Sequence, residues 1–361
     1  MSSSLRNPST DFSFLLQDAA PGLHAAAHWQ SLGDGRAVCL LCAHGCELDE
    51  GEVGICGVRV NADGRLLTHA YGHVIACQPS AVEKLRIYHY RPGSTLLCVA
   101  TPGCNFHCAY CTNHDMAFVS RDRGESIDWG KSLSPEEVVT VAQVGGWRTI
   151  AFAYTEPTVF YEYALNIART AQQAGIDCVM NTNGYIRETP LLELLPHIAA
   201  ASVDLKSFRD VTYRRNSNAK LQPVIDTLRS IKAAGIWLEV TTTVIPSLND
   251  SEQELRDLTR FLVELDDGIP WHINRFYPSF EMENIPVTPN RTLVRAWEIG
   301  LEEGLHHVYT DALLGRGGEQ TLCRECRHVL VDRSANRALS LNLNDGRCPG
   351  CDTPVDYIKV R

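Results

Sequence analysis

All but Cys77, Cys98 and Cys178 of the chain's fourteen cysteines fall in three tight clusters, and this constrains the fold more than any other feature. The middle cluster, Cys104-Asn105-Phe106-His107-Cys108-Ala109-Tyr110-Cys111, spaces its thiols by three residues and then two. Three thiolates on one short loop can hold three irons of a cubane cluster and leave the fourth open to an outside chelator. The competing reading is a zinc knuckle that borrows Cys98 or His107 as fourth ligand. The loop directly follows a β-rich run, which favours the cluster.

A disulfide framework does not suit a 361-residue chain whose residues 1–28 lack the basic and apolar regions of an export signal. No apolar run approaches a membrane span, and the net charge of −10 comes without a basic block. The expectation is a cytoplasmic protein with reduced, metal-bound thiols, and with neither nucleic acid nor membrane as partner.

Residues 1–36 read as a polar arm with weak helical character around 12–16, and residues 37–93 as a Cys/Gly-rich module that needs a metal to fold. Between 94 and 312 six β-rich runs, at 95–100, 149–153, 177–182, 200–205, 237–244 and 271–276, alternate with amphipathic stretches. Ser134-Pro135-Glu136-Glu137 announces a helix start, and further helices are expected over 159–174, 224–234, 252–265 and 293–303. The predicted fold is α/β, a partial (β/α)6 TIM-like barrel with its chemistry in loops at the carboxyl ends of the strands. Residues 313–361 form a zinc-ribbon-like tail.

In the first cluster, Cys39, Cys42, Cys46 and Cys56, with His44 inside it, fit either a structural zinc or an auxiliary iron-sulfur cluster. A closed structural site is preferred, because small glycine-rich modules depend on metal for folding. In the tail, Cys323, Cys326, Cys348 and Cys351 form two Cys-x-x-Cys knuckles around a hairpin-like stretch at 329–343, the spacing of a zinc ribbon. Cys77, Cys98 and Cys178 read as small buried hydrophobes.

With Tyr110 before its last cysteine, the middle motif resembles the radical SAM (S-adenosylmethionine) superfamily. Thr112-Asn113 after it resembles the branch containing pyruvate formate-lyase activating enzyme and, more narrowly, the AmmeMemoRadiSam-system radical SAM enzymes; that likeness runs from about Cys39 to the C-terminus. The resemblance implies a radical SAM barrel with a 4Fe-4S cluster on Cys104, Cys108 and Cys111. It implies S-adenosyl-L-methionine on the open iron, and a 5′-deoxyadenosyl radical that abstracts hydrogen from an unidentified substrate. It also implies a reductant protein such as flavodoxin or ferredoxin, companion proteins of the same system, and Tyr110 and Asn113 beside the cofactor.

Ala153-Tyr154-Thr155-Glu156-Pro157 stands where the activases carry Gly-Gly-Glu-Pro, which makes Glu156 a candidate for the SAM ammonium, against a helix-capping reading. Asn181-Thr182-Asn183-Gly184 resembles their Asp-Thr-Asn-Gly and is followed by Asp204-Leu205-Lys206. Asn181, Thr182, Asp204 and Lys206 are therefore implied SAM contacts, against a plain interior Asp204–Lys206 ion pair. Asn181 removes a charge that a bridging cation would use. Pro270-Trp271-His272 matches a Pro-aromatic-His, so His272 either serves SAM or is a satisfied interior group. Arg275 faces away from His272. The loop Gly315-Arg316-Gly317-Gly318-Glu319 departs from the family's His-containing form.

Three functions stay open at this level: an enzyme modifying a substrate together with the companion proteins, a glycyl-radical enzyme activase, and, from another class, a non-catalytic scaffold with zinc in all three clusters.

Overall fold

The structure, a computed structural model, describes residues 22–118, 130–313 and 318–360, with the backbone of Gln17–Asp18. The expected helical character at 12–16 and the loop residues 315–317 lie outside the described residues. Runs that alternate with amphipathic helices bury both faces of a parallel sheet, and that is what forms. One eight-stranded sheet contains β1 (Ala76–Ala81), β2 (Thr95–Ala100), β3 (Thr149–Phe152), β4 (Asp177–Thr182), β5 (Ala200–Asp204), β6 (Trp237–Val244), β7 (Trp271–Arg275) and β8 (Val308–Thr310). Spatial order follows chain order; β1 is antiparallel to β2, every other pair is parallel, and β1 and β8 remain open edges.

All six expected runs are strands, and the sheet gains one at each edge. Ala76–Ala81 carries Pro79, which only an edge strand tolerates easily, and Val308–Thr310 is too short to register as periodicity. The longer helices among the described residues are α1 (Pro135–Val144), α2 (Tyr161–Gln173), α3 (Glu188–Leu194), α4 (Asp210–Ser217), α5 (Leu221–Ala233), α6 (Glu252–Asp266) and α7 (Asn290–Glu302). α1 starts in a full capping box: Ser134 Oγ accepts from Glu137 N–H at 3.2 Å, and the Glu137 carboxylate accepts from Ser134 N–H at 2.6 Å. Among the described residues no helix is long and apolar enough to cross a membrane.

The concave face of the sheet is filled by the chain itself. Val82, Leu85, Ile87 and Tyr90 pack against Leu96, Cys98, Ala151, Ala153, Val179 and Ala200, and the small side chains of β3 and β5 leave room for that segment. Ahead of the barrel, Trp29–Gly33, Arg36–Cys39 and Glu47–Leu48 form one antiparallel sheet, and His24–Ala25, Arg65–Thr68 and Arg59–Ala62 another. After it, Thr321–Leu322, Val329–Arg333 and Ala338–Leu341 make the small sheet of the tail, which includes the expected hairpin.

Candidate active site

The loop that leaves β2 carries the middle cysteines across the carboxyl end of the sheet and is pinned on several sides. His107 and Ala109 N–H donate to the carbonyls of Ser217 and Asn216 at 3.0 and 2.9 Å; Glu281 N–H donates to Ala109 O at 3.0 Å, and Ser279 Oγ to Tyr110 O at 3.0 Å. Asn113 Nδ2 donates to Tyr154 O at 2.8 Å, which ties the loop to the end of β3. Tyr154 holds a φ of 70°, a conformation natural to the glycine it replaces in the resembled motif.

None of the fourteen cysteines is in a disulfide. Burial pushes the Cys104, Cys108 and Cys111 thiols up, so a bound metal is what would hold them as thiolates. Polar groups already face the sulfurs: Phe106 N–H donates to Cys104 Sγ at 3.4 Å, and the Cys108 thiol donates to Ser217 Oγ at 3.3 Å, a hydroxyl that can turn to donate to a thiolate. Two ligands of one zinc ion are at most about 4.6 Å apart, since Zn–S is about 2.3 Å. Among the described residues only the tail cysteines bring three or more ligand atoms within 4.8 Å of one another, so the loop thiols are spread too widely for one ion. A cubane, which gives each thiolate its own iron, fits that spread. The proposed knuckle partners are elsewhere: Cys98 packs in the barrel interior, and His107 is exposed and stacked on Phe118 at 4.1 Å.

Glu156 is 3% exposed and accepts hydrogen bonds on both oxygens. Its Oε1 accepts from Thr158 N–H at 3.0 Å and from the Thr158 and Thr182 hydroxyls at 2.7 Å each, while Oε2 accepts from Asn183 N–H at 2.8 Å. This carboxylate caps the turn after β3 and stitches it to the end of β4. Lys206 Nζ sits 3.0 Å from Asp204 Oδ2 and 5.9 Å above the Tyr110 ring. Burial disfavours the ammonium charge, but the Asp204 carboxylate and the nearby Cys108 outweigh it and keep Lys206 protonated.

Register places Asp204, Thr241, His272 and Tyr309 in one row across β5 to β8, on the same face. Asp204 and His272 are thus two strands apart, roughly 10 Å. His272 is buried, stacks on Tyr309 at 5.1 Å, and donates from Nε2 to Glu239 Oε2 at 2.7 Å. Its pKa is lowered by burial, so the ring is neutral and Nδ1 is left as a buried acceptor without a partner. Asn181, half-buried, shares the neighbouring row with Ser202 and Glu239. Arg275 is bound to Thr288 O at 2.6 Å and Asp311 at 3.2 Å.

Sequence reading passed over Asn183 and Asn105, which join these parts. Asn183 Nδ2 donates to Asn105 Oδ1 at 2.8 Å and lies 3.8 Å from Cys104 Sγ; Asn105, fully buried, donates to Tyr185 O at 2.9 Å. Both residues stand inside the motifs already singled out, but nothing in spacing says that an amide turns toward a sulfur.

In the tail, Cys323 and Cys351 Sγ are 3.7 Å apart and Cys326 and Cys348 Sγ 3.6 Å, with all four within 4.8 Å. A tetrahedral ion with Zn–S of about 2.3 Å sets its sulfurs about 3.8 Å apart, so this set can close on one ion.

Residues 98–259 match the Radical SAM superfamily. The chain is similar, at 34% identity, to an uncharacterised protein of Methanocaldococcus jannaschii, over 93% of this chain and all of that one. It is also similar, at 24% identity, to the pyruvate formate-lyase-activating enzyme of Clostridium pasteurianum, over 48% of this chain and 75% of that one. Among solved structures, a radical SAM methyltransferase from Sphaerobacter thermophilus aligns with a TM-score of 0.48 and 16% identity, over 63% of this chain and 70% of that one.

Proposed function

The chain belongs to the radical SAM superfamily, and from that premise we propose that it cleaves S-adenosylmethionine reductively to start hydrogen abstraction from a substrate, as the AmmeMemoRadiSam-type enzymes it resembles are expected to do. The observation that carries this reading is the set of Cys104, Cys108 and Cys111 at the carboxyl end of a parallel sheet, spread too widely for one ion and met by polar groups. Cys104, Cys108 and Cys111 would hold a four-iron cluster, which when bound would supply the single electron for reductive cleavage of SAM to a 5′-deoxyadenosyl radical.

The protein's own contribution is binding and placement. Lys206, held protonated by Asp204, offers a cation to the SAM carboxylate. His272 offers its unpartnered Nδ1 to a hydroxyl of SAM or of the substrate, with its tautomer fixed by Glu239. Asn181 and Asp204 complete the polar face of the strand ends, and Tyr110 and Asn113 fix the loop above them. Glu156 and Thr182 hold the two turns together, and Glu156 Oε2, which accepts a single hydrogen bond, keeps a lone pair for the SAM ammonium. We further propose that Cys323, Cys326, Cys348 and Cys351 bind a structural zinc.

Anaerobic reconstitution followed by dithionite and SAM tests the reading: the wild type forms 5′-deoxyadenosine and Cys108→Ala does not. Full SAM cleavage by Cys108→Ala overturns the ligand assignment, and a colourless, zinc-only protein supports the scaffold instead. The likeness to pyruvate formate-lyase-activating enzyme favours a second reading, glycyl-radical activation. That reading requires a glycyl electron-paramagnetic-resonance (EPR) doublet in a partner enzyme, whereas a mass change in a substrate supports modification.

A further inference from the structure

We infer that the N-terminal module holds a second four-iron cluster, ligated at all four corners by Cys39, Cys42, Cys46 and Cys56, which exchanges single electrons with the cluster on the neighbouring loop. The metal assignment stands on its own; the electron exchange rests on the reading of Cys104, Cys108 and Cys111 given above.

The four thiols line one small cavity of about 20 Å³, which Asn105 and Thr158 also line. No three of them, nor His44 with two of them, come within 4.8 Å of one another. Ligands sharing one zinc can be no more than about 4.6 Å apart, so zinc would require this module to contract, whereas the tail thiols already stand at tetrahedral distances. Thiolates on separate irons need the wider ring. Gly54 packs between two of the thiols: a Cβ there would lie in ordinary contact, 3.7 Å from Cys46 Sγ and 3.8 Å from Cys56 Sγ. Positive charge is supplied from inside: Arg59, 1% exposed, reaches Cys39 Sγ with Nη1 at 3.7 Å while its other nitrogen pairs with Glu162. This set thus departs from the closed structural zinc that spacing alone favours.

The cavity adjoins the radical SAM loop. Gly103 presses so closely on the module that a Cβ would fall 2.6 Å from Val58 and 2.9 Å from the Cys56 carbonyl. His44 Nε2 donates to Asn105 O at 2.6 Å, and Asn105 is the residue after Cys104. From Cys42 this path therefore reaches Cys104 through Ala43, His44 and Asn105. The step is an outer-sphere transfer: a low-potential one-electron reductant protein reduces the N-terminal cluster, and the same electron moves to the loop cluster, with no bond made or broken.

The test uses the full chain, anaerobically reconstituted with iron and sulfide, and compares wild type with Cys39→Ala/Cys42→Ala and with Cys104→Ala/Cys108→Ala/Cys111→Ala. The triple variant leaves the N-terminal site intact and is expected to keep about half of the wild-type iron and acid-labile sulfide, with a dithionite-reduced EPR signal indifferent to SAM. The double variant is expected to lose the same half and keep a SAM-responsive signal. A triple variant without iron, carrying an extra equivalent of zinc at native circular dichroism, overturns the proposal. So does a double variant that is folded and holds the wild-type iron content. Iron retained in full by the triple variant would instead overturn the loop assignment, and with it the electron exchange.

Discussion

Asn183 turns its side-chain amide toward Cys104, with Nδ2 3.8 Å from Sγ, while its own backbone N–H is fixed by Glu156. N–H donors to a ligating sulfur stabilise the reduced, more negative form of a cluster, and outer-shell partners of this kind commonly matter 10- to 100-fold. Asn183→Ala is expected to make the cluster harder to reduce and to cut 5′-deoxyadenosine formation about tenfold. Redox titration followed by EPR checks this; an unchanged potential would remove the role assigned to the amide.

Glu156 accepts four hydrogen bonds from three residues in a site closed to solvent. Glu156→Gln presents an NH2 to some of those donors, and should cost about 1–3 kcal/mol of stability, with weaker SAM binding because both turns loosen. Thermal unfolding and SAM titration separate the roles. Stability unchanged with SAM binding lost would make the carboxylate a direct ligand.

Arg59 and Glu162 join the N-terminal module to α2, and the Glu162 carboxylate also accepts from Ala27 N–H at 2.7 Å. Glu162→Ala leaves a buried guanidinium without its counter-charge, a loss on the order of 3–5 kcal/mol. A melting temperature lowered by less than a few degrees would argue against this account.

Acid should weaken the foot of the barrel in two stages. Burial pushes His89 down to about 4, so between roughly pH 6.5 and 4 the unfolded chain takes up a proton that the folded chain refuses, and stability falls by about 2–3 kcal/mol. Burial of Glu239 opposes its ionisation, but His272 and the Tyr88 and His89 N–H groups outweigh it and hold the carboxyl at about 2. Its contribution is present above the ordinary carboxyl value and fades as pH drops from about 4.5 towards 2. Urea midpoints at pH 7, 5.5 and 4.5 should decline in that order; a flat series contradicts the assignment.

Cys348 is buried beside Leu330, Val331, Val355 and Tyr357, in a small core that the four tail thiols stitch together. Cys348→Ala is expected to release the metal and to lower stability by several kcal/mol, roughly, with SAM cleavage per folded molecule preserved. Metal analysis and melting curves check it; full stability without zinc would show that the tail folds unaided.

The parallel strands were legible because each is a short apolar run between amphipathic stretches, and the cysteine loop because its spacing is chemically specific. The edge strand with Pro79 was not, since its sequence resembles a turn until β2 supplies its partner. His272 was legible as a candidate but not as half of a pair: Glu239 lies 33 residues earlier, and only cross-strand register brings the two together. Zinc and cubane sites share the same four cysteines in sequence and diverge in the distances between sulfurs. Around the N-terminal set those distances depend on neighbours that spacing does not name, such as Arg59 against Cys39 and Gly103 against the Cys56 carbonyl.

The foot of the barrel joins segments far apart in the chain: His89 Nδ1 donates to Tyr357 O at 2.7 Å across 268 residues, and Lys359 N–H returns to His89 O at 2.7 Å. A nascent chain therefore cannot complete this seal until Tyr357 and Lys359 have left the ribosome. Until then the segment before β2 lacks its latch, and the growing polypeptide spends its synthesis with an unfastened base, the interval in which aggregation or chaperone capture competes with folding.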